Sequence, residues 1–128
     1  MQEFRNKAEE SLAGAEAEPA AQRYGNCANR ADYACFQAAV SALWRAGIRP
    51  PGGIRWSHSF VQSEFSGQLV NRRKLCQPEL RDTLDRAYDL RQRADYGLAQ
   101  VPATEATRAV HRARALVAAV RRRTGVEQ

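Results

Sequence analysis

The chain has 128 residues, which suits one compact domain and leaves no room for a catalytic domain plus a second module. Apolar residues make up 44% and charged residues 27%, which excludes a disordered chain, and 8 Gly with 5 Pro exclude a collagen-like or linker-dominated one. Twenty basic residues against 14 acidic ones give a net charge of +6, nearly all of it from arginine, which points toward phosphate or nucleic-acid contact as readily as toward an Ala- and Arg-rich composition without function.

No apolar run approaches the roughly 18 residues of a membrane span, so no membrane contact is expected. Met1 to Glu10 mix both signs of charge without an apolar centre and do not read as a secretory signal, so the expected compartment is the cytoplasm. Cys27, Cys35 and Cys76 are odd in number and form no C-x-x-C pair, so they are expected to be buried small hydrophobes. With His58 and His111 as the only histidines, no metal site or cofactor is expected.

Scarce β-branched residues and abundant Ala, Leu, Arg, Glu and Gln predict an all-α protein. The first helix is expected over about 3–17, with Phe4, Ala8, Leu12 and Ala15 inward. The second runs over about 19–46. It carries a small-residue stripe (Ala20, Tyr24, Cys27, Ala31, Ala34, Ala38, Ala42) and a larger one (Phe36, Val40, Leu43, Trp44), as a central bundle helix does. Gly47 should end it, and Arg49-Pro50-Pro51-Gly52-Gly53 reads as a loop.

A third helix is expected over about 57–70, capped by Ser57, with Phe60, Val61, Phe65 and Leu69 inward. A basic loop, Asn71 to Lys74, follows. The fourth helix is expected over about 78–100, with Pro78 in its first turn, and the fifth over about 104–123, capped by Thr104 and buried through Ala106, Val110, Ala113, Val117 and Val120. The whole chain, 1–128, then forms a single domain with its core over about 4–123: a five-helix, up-and-down antiparallel bundle.

Two breaks in the pattern carry the functional signal. Leu80, Leu84, Ala87, Arg91, Ala94 and Leu98 form a core stripe with an arginine in its middle. An unpaired buried guanidinium costs several kcal/mol, roughly, so Arg91 needs an anion, and Asp95 four residues on is the nearest candidate. The pair is either structural or aims Arg91 at a phosphate. The second helix carries a polar stripe, Arg23, Asn26, Arg30, Tyr33 and Gln37, which is either a solvated face or, if this helix lies antiparallel to the fourth, one wall of a groove for phosphate and ribose.

These residues also carry a family resemblance. Asn29-Arg30-Ala31-Asp32-Tyr33-Ala34-Cys35-Phe36 resembles the N-R-A-Y-Y-A-x-F signature of small HEPN domains (higher eukaryotes and prokaryotes nucleotide-binding). Gly47, then His58 and Phe65, resemble that family's G…H…F segment, and Leu90-Arg91-Gln92-Arg93-Ala94-Asp95-Tyr96 its L-R-x-x-A-D-Y motif. The resemblance spans roughly residues 6–120. It implies an all-α bundle, often a homodimer, and a minimal nucleotidyltransferase partner in toxin–antitoxin pairs. It also implies a nucleotide or RNA site at Arg30, Tyr33, Arg91, Asp95 and Tyr96.

Many members are metal-independent endoribonucleases with an Arg, four to six residues, then His; here Tyr96 follows Arg91 where His is expected. A Tyr of pKa about 10 is a poor general base beside a His of about 6.5, so weak or no cleavage is expected, with Arg91, Tyr96 and His58 as the candidate catalytic groups. His58 reads either as a structural histidine at a helix start or as a proton carrier if it folds toward Arg91. Asp32, where the family usually has Tyr, can pair with Arg91 or Arg30. His111 and its flanking arginines Arg108, Arg112 and Arg114 read as a solvated outer face of the last helix. The leading expectation is a module binding nucleotide or RNA phosphate. The rivals are a ribonuclease toxin and a helical oligomer without ligand.

Overall fold

A computed structural model describes residues 6–14, 24–53, 55–72, 78–80, 82–96 and 102–123. Among these, five α-helices form an all-α bundle and no strand occurs. Helix α1 covers residues 6–14, α2 Tyr24–Arg45, α3 His58–Glu64, α4 Thr83–Tyr96 and α5 Ala103–Arg123. Helix α3 continues without a break as a π-helix over Phe65–Arg72, whose wider winding still turns Phe65, Leu69 and Val70 inward.

The ends follow from local chemistry. Gly47 adopts φ 84°, its N–H donates to the Trp44 carbonyl at 3.0 Å, and the Ile48 N–H donates to Leu43 at 2.9 Å. That is the six-to-one and five-to-two pair of a glycine C-cap, and Ile48 folds back onto the core. Ser57 Oγ accepts the Phe60 N–H at 3.2 Å and caps α3 as the sequence predicts. Pro78 does not open α4: residues Pro78–Leu80 form a separate 3-10 turn, and α4 begins at Thr83. Thr104 is not the cap of α5 either. The helix starts one residue earlier, and the Pro102 carbonyl accepts the first helical bond from Ala106.

Contacts fix the helix directions. The Ser11 hydroxyl is hydrogen-bonded to the Gln37 amide at 2.9 Å and Gly14 meets Arg30, so α1 runs antiparallel to α2. Arg91 meets Asp32, while three residues earlier Tyr88 shares His58 with Phe36, so α4 also runs antiparallel to α2. Arg93 meets Glu105, which sets α5 antiparallel to α4. Helices α2 and α5 therefore run parallel, and Cys27 Sγ near the start of one donates to the Ala106 carbonyl near the start of the other at 3.7 Å. The crossover through α3 makes this possible.

The core is built largely from alanine. Ala28, Ala31, Ala34, Ala38 and Ala39 of α2 and Ala106, Ala109 and Ala113 of α5 are all buried, so these backbones approach closely. Phe65, Leu43, Leu84, Leu90 and Leu116 supply the bulk. Among the described residues the predicted stripes of α2 and α5 hold, with Ala42 half-buried and two exceptions among the large side chains. Trp44 is 38% exposed and stacks under the Arg49 guanidinium, 3.4 Å from its centroid, instead of entering the core. Phe36 is half-buried rather than deep. The expected inward residues Phe4, Ala15, Ala20 and Leu98 lie outside the described residues, as do Cys76 and the side chains of Tyr24 and Ala94; Cys27 and Cys35 are buried thiols. No described helix is long and apolar enough to cross a membrane.

Candidate functional site

The antiparallel packing of α2 on α4 brings Asp32 to Arg91. Arg91 Nη1 donates to Asp32 Oδ2 at 3.2 Å, and the two side chains are 28% and 3% exposed. One anion for the interrupted stripe of α4 therefore comes from α2, as the Asp32 pairing in the sequence allowed. Asp95 and Tyr96 occupy the last turn of α4, and their side chains lie outside the described residues.

Aromatic rings frame the pair. The Arg91 guanidinium lies 5.3 Å from the Tyr33 ring centroid and 6.0 Å from that of Tyr88. Tyr33 is 47% exposed, a large apolar face in water beside a partly exposed guanidinium. On α2, Asn29, Asp32, Tyr33 and Phe36 follow spacings of three, one and three and share one side of the helix. Asn29 Oδ1 is buried there without a hydrogen-bond partner among the described residues.

His58 folds into the same cluster. Its ring stacks on Tyr88 at 3.9 Å between centroids and lies 6.1 Å from Phe36, nearly parallel to it. Burial pulls the His58 pKa below 6.5; Asp32 and Asp85 oppose that pull and Arg91 adds to it. The ring is therefore neutral at pH 7. Its Nε2 is buried without a hydrogen-bond partner among the described residues. The Gln92 amide donates to the Tyr88 hydroxyl at 3.1 Å and steadies the ring on which His58 lies.

The polar stripe of α2 divides. Gln37 faces α1 through Ser11, and Arg30 lies along α1, where a Cβ at Gly14 would stand 2.5 Å from Arg30 Cδ. Tyr33, at the edge of the stripe, reaches Arg91. Arg23 lies outside the described residues, and so does the side chain of Asn26. Of the sequence-predicted residues, the structure brings together Arg91, Tyr33 and His58 and sets Arg30 on the α1 side. Tyr88 and Asn29 were missed as site residues. Tyr88 stands three residues before Arg91, one turn away on the same face, and that spacing was the available signal.

A family model for the HEPN domain matches residues 1–123. A comparison with curated proteins finds no match. The match extends over nearly the whole chain and agrees with the all-α bundle, and the chain belongs to the HEPN domain family.

Proposed function

We propose that this domain binds a phosphate of a nucleotide or RNA in the groove between α2 and α4, with a base against the Tyr33 ring. The observation that carries the reading is the asymmetric burial of the Arg91–Asp32 pair. A structural pair has no need to leave one guanidinium edge in water beside an exposed aromatic face. Asp32 fixes the guanidinium in place, so less ordering cost falls on ligand binding. The exposed edge then offers charge-assisted hydrogen bonds to phosphate oxygens, and Tyr33 offers a sequence-tolerant stacking surface. Asp95, Tyr96 and Arg30 are the further contacts that the family motif suggests. In the cell, the domain works in the cytoplasm as a homodimer beside a minimal nucleotidyltransferase, as one half of a toxin–antitoxin pair.

One observation favours a second reading, an endoribonuclease. His58 supplies an imidazole in the cluster of Arg91, although from α3 rather than from α4. There, Arg91 would stabilise charge on a pentacoordinate phosphorus and neutral His58 would accept the proton of the attacking hydroxyl. The two readings separate in one experiment. Labelled oligoribonucleotide is titrated into wild type, Tyr33→Ala and Arg91→Met by fluorescence anisotropy, and the same samples are resolved on a gel in EDTA. Binding lost in both variants, with intact RNA in wild type, is the expected result. Cleavage by wild type, abolished by His58→Gln, would promote the nuclease, and unchanged binding in both variants would refute the groove.

A further inference from the structure

The α4–α5 seam carries a second concentration of positive charge, on the opposite flank of α4 from the pair just described. Arg93 Nη2 donates to Glu105 Oε1 at 2.7 Å, and this contact sets the register of the two antiparallel helices. Seven residues further along each helix, about two turns, the register brings Arg86 opposite Arg112. Arg108 lies between Glu105 and Arg112, one turn from each on the same face of α5. The nearby carboxylates are engaged elsewhere: Arg93 holds Glu105 and also lies 3.5 Å from Asp89.

Among the described residues, Arg86, Arg108 and Arg112 form no ion pair. Arg86 and Arg108 are exposed. Arg112 is half-buried, and its Nε is buried with no hydrogen-bond acceptor among the described residues. Burial, and then the charges of Arg86 and Arg108, pull the Arg112 pKa below its usual range against a weaker opposing pull from Glu105. The buried Cys35 thiol beneath it does not compensate, because burial pushes its pKa far up and keeps it neutral. Among the described residues the three guanidiniums share only the Glu105 carboxylate, which Arg93 already holds, and a tetrahedral oxyanion with several acceptor oxygens relieves that excess of positive charge.

We infer that Arg86, Arg108 and Arg112 form a phosphate-binding site on the α4–α5 seam, separate from the α2–α4 groove. The ligand chemistry is a phosphate monoester or diester, held by bidentate guanidinium contacts. Arg112 is the fixed floor, and Arg86 and Arg108 are the mobile walls. The site does not depend on the reading of the groove and survives if that reading fails.

The test compares thermal melts in sodium phosphate and in sodium chloride at matched ionic strength, over a concentration series that yields an apparent Kd. Wild type is expected to show a phosphate-specific rise in Tm. Arg112→Gln, and separately the surface change Arg86→Gln, are each expected to weaken the apparent affinity by about tenfold or more. The series is repeated in the double variant Arg91→Met with Asp32→Leu, which removes the phosphate contact proposed for the α2–α4 groove; a phosphate-specific rise is expected to remain there, and each Gln change is expected to weaken it in that background too. A short oligoribonucleotide in a parallel titration distinguishes the source. Binding to the double variant that is tighter than phosphate and lost on adding either seam change identifies a nucleic-acid diester, and phosphate binding alone identifies a small free phosphate. No phosphate-specific rise in wild type would overturn the inference, and so would a rise in the Arg91→Met, Asp32→Leu background that survives both Arg112→Gln and Arg86→Gln.

Discussion

Asp32 and Arg91 are buried to different depths, and that difference sets what each substitution does. Arg91→Met removes the guanidinium from a carboxylate that is nearly inaccessible to water and is expected to cost about 3 kcal/mol. Asp32→Ala leaves a guanidinium that still reaches water and is expected to cost less, about 1–2 kcal/mol. Replacing both, by Met and Leu, should restore most of the loss. Urea melts of the three variants check this, and equal losses from the two single changes would contradict the unequal burial. His58 gives a pH dependence. Its folded pKa lies below 6.5, so below that pH the unfolded chain binds more protons than the native one. Its neutral ring carries no penalty above pH about 6.5, and stability falls as the pH drops from there through the lowered folded pKa. The urea midpoint is expected to fall between about pH 7 and pH 5, and His58→Gln should flatten the slope. Phe36, half-buried against His58, is a weaker anchor than its stripe suggests, and Phe36→Ala is expected to cost about 2 kcal/mol rather than a full core loss.

Two glycines at the level of elements behave oppositely. Gly47 holds φ 84° at the end of α2, where an L side chain meets its own backbone whatever the surrounding space, so Gly47→Ala is expected to cost about 1 kcal/mol. Gly67 sits exposed in the π-helical stretch with nothing within 4 Å of an added Cβ, and Gly67→Ala is expected to stabilise by about 0.5 kcal/mol. A pair of urea melts separates the two signs. Ser57→Ala is expected to cost about 1 kcal/mol through loss of the α3 cap. That loss should also loosen His58, the first residue of the helix.

At the scale of the molecule, close alanine packing leaves little room to relax around the few large side chains. Phe65 is completely buried, and Phe65→Ala is expected to cost about 3–5 kcal/mol, enough to leave a domain of this size barely folded. The positive charge is likewise distributed by the bundle rather than by the sequence. Arg121 pairs with Glu9 of α1 and Arg93 with Glu105, whereas Arg86, Arg108 and Arg112 stand together. RNA affinity should therefore fall steeply with added salt, and Arg112→Gln should reduce the slope by about 1. Fluorescence anisotropy over a salt series measures it.

The helices, their inward stripes, the Gly47 stop and the Ser57 cap were legible because each depends on residues within one or two turns of chain. The need of Arg91 for an anion was legible for the same reason, since its position in an apolar stripe is a local fact. Which anion answers that need was not. Asp32 lies 59 residues away, and the sequence offered it only as one of two partners. Nor did the chain order show that Arg30 turns to α1, that Tyr88 carries His58, or that Arg112 leaves the outer face of α5 for the seam with α4. Helical periodicity fixes which residues share a face, but not which neighbour that face meets. Here α2 is surrounded by α1, α3, α4 and α5, so only the tertiary packing could assign each of its faces a partner.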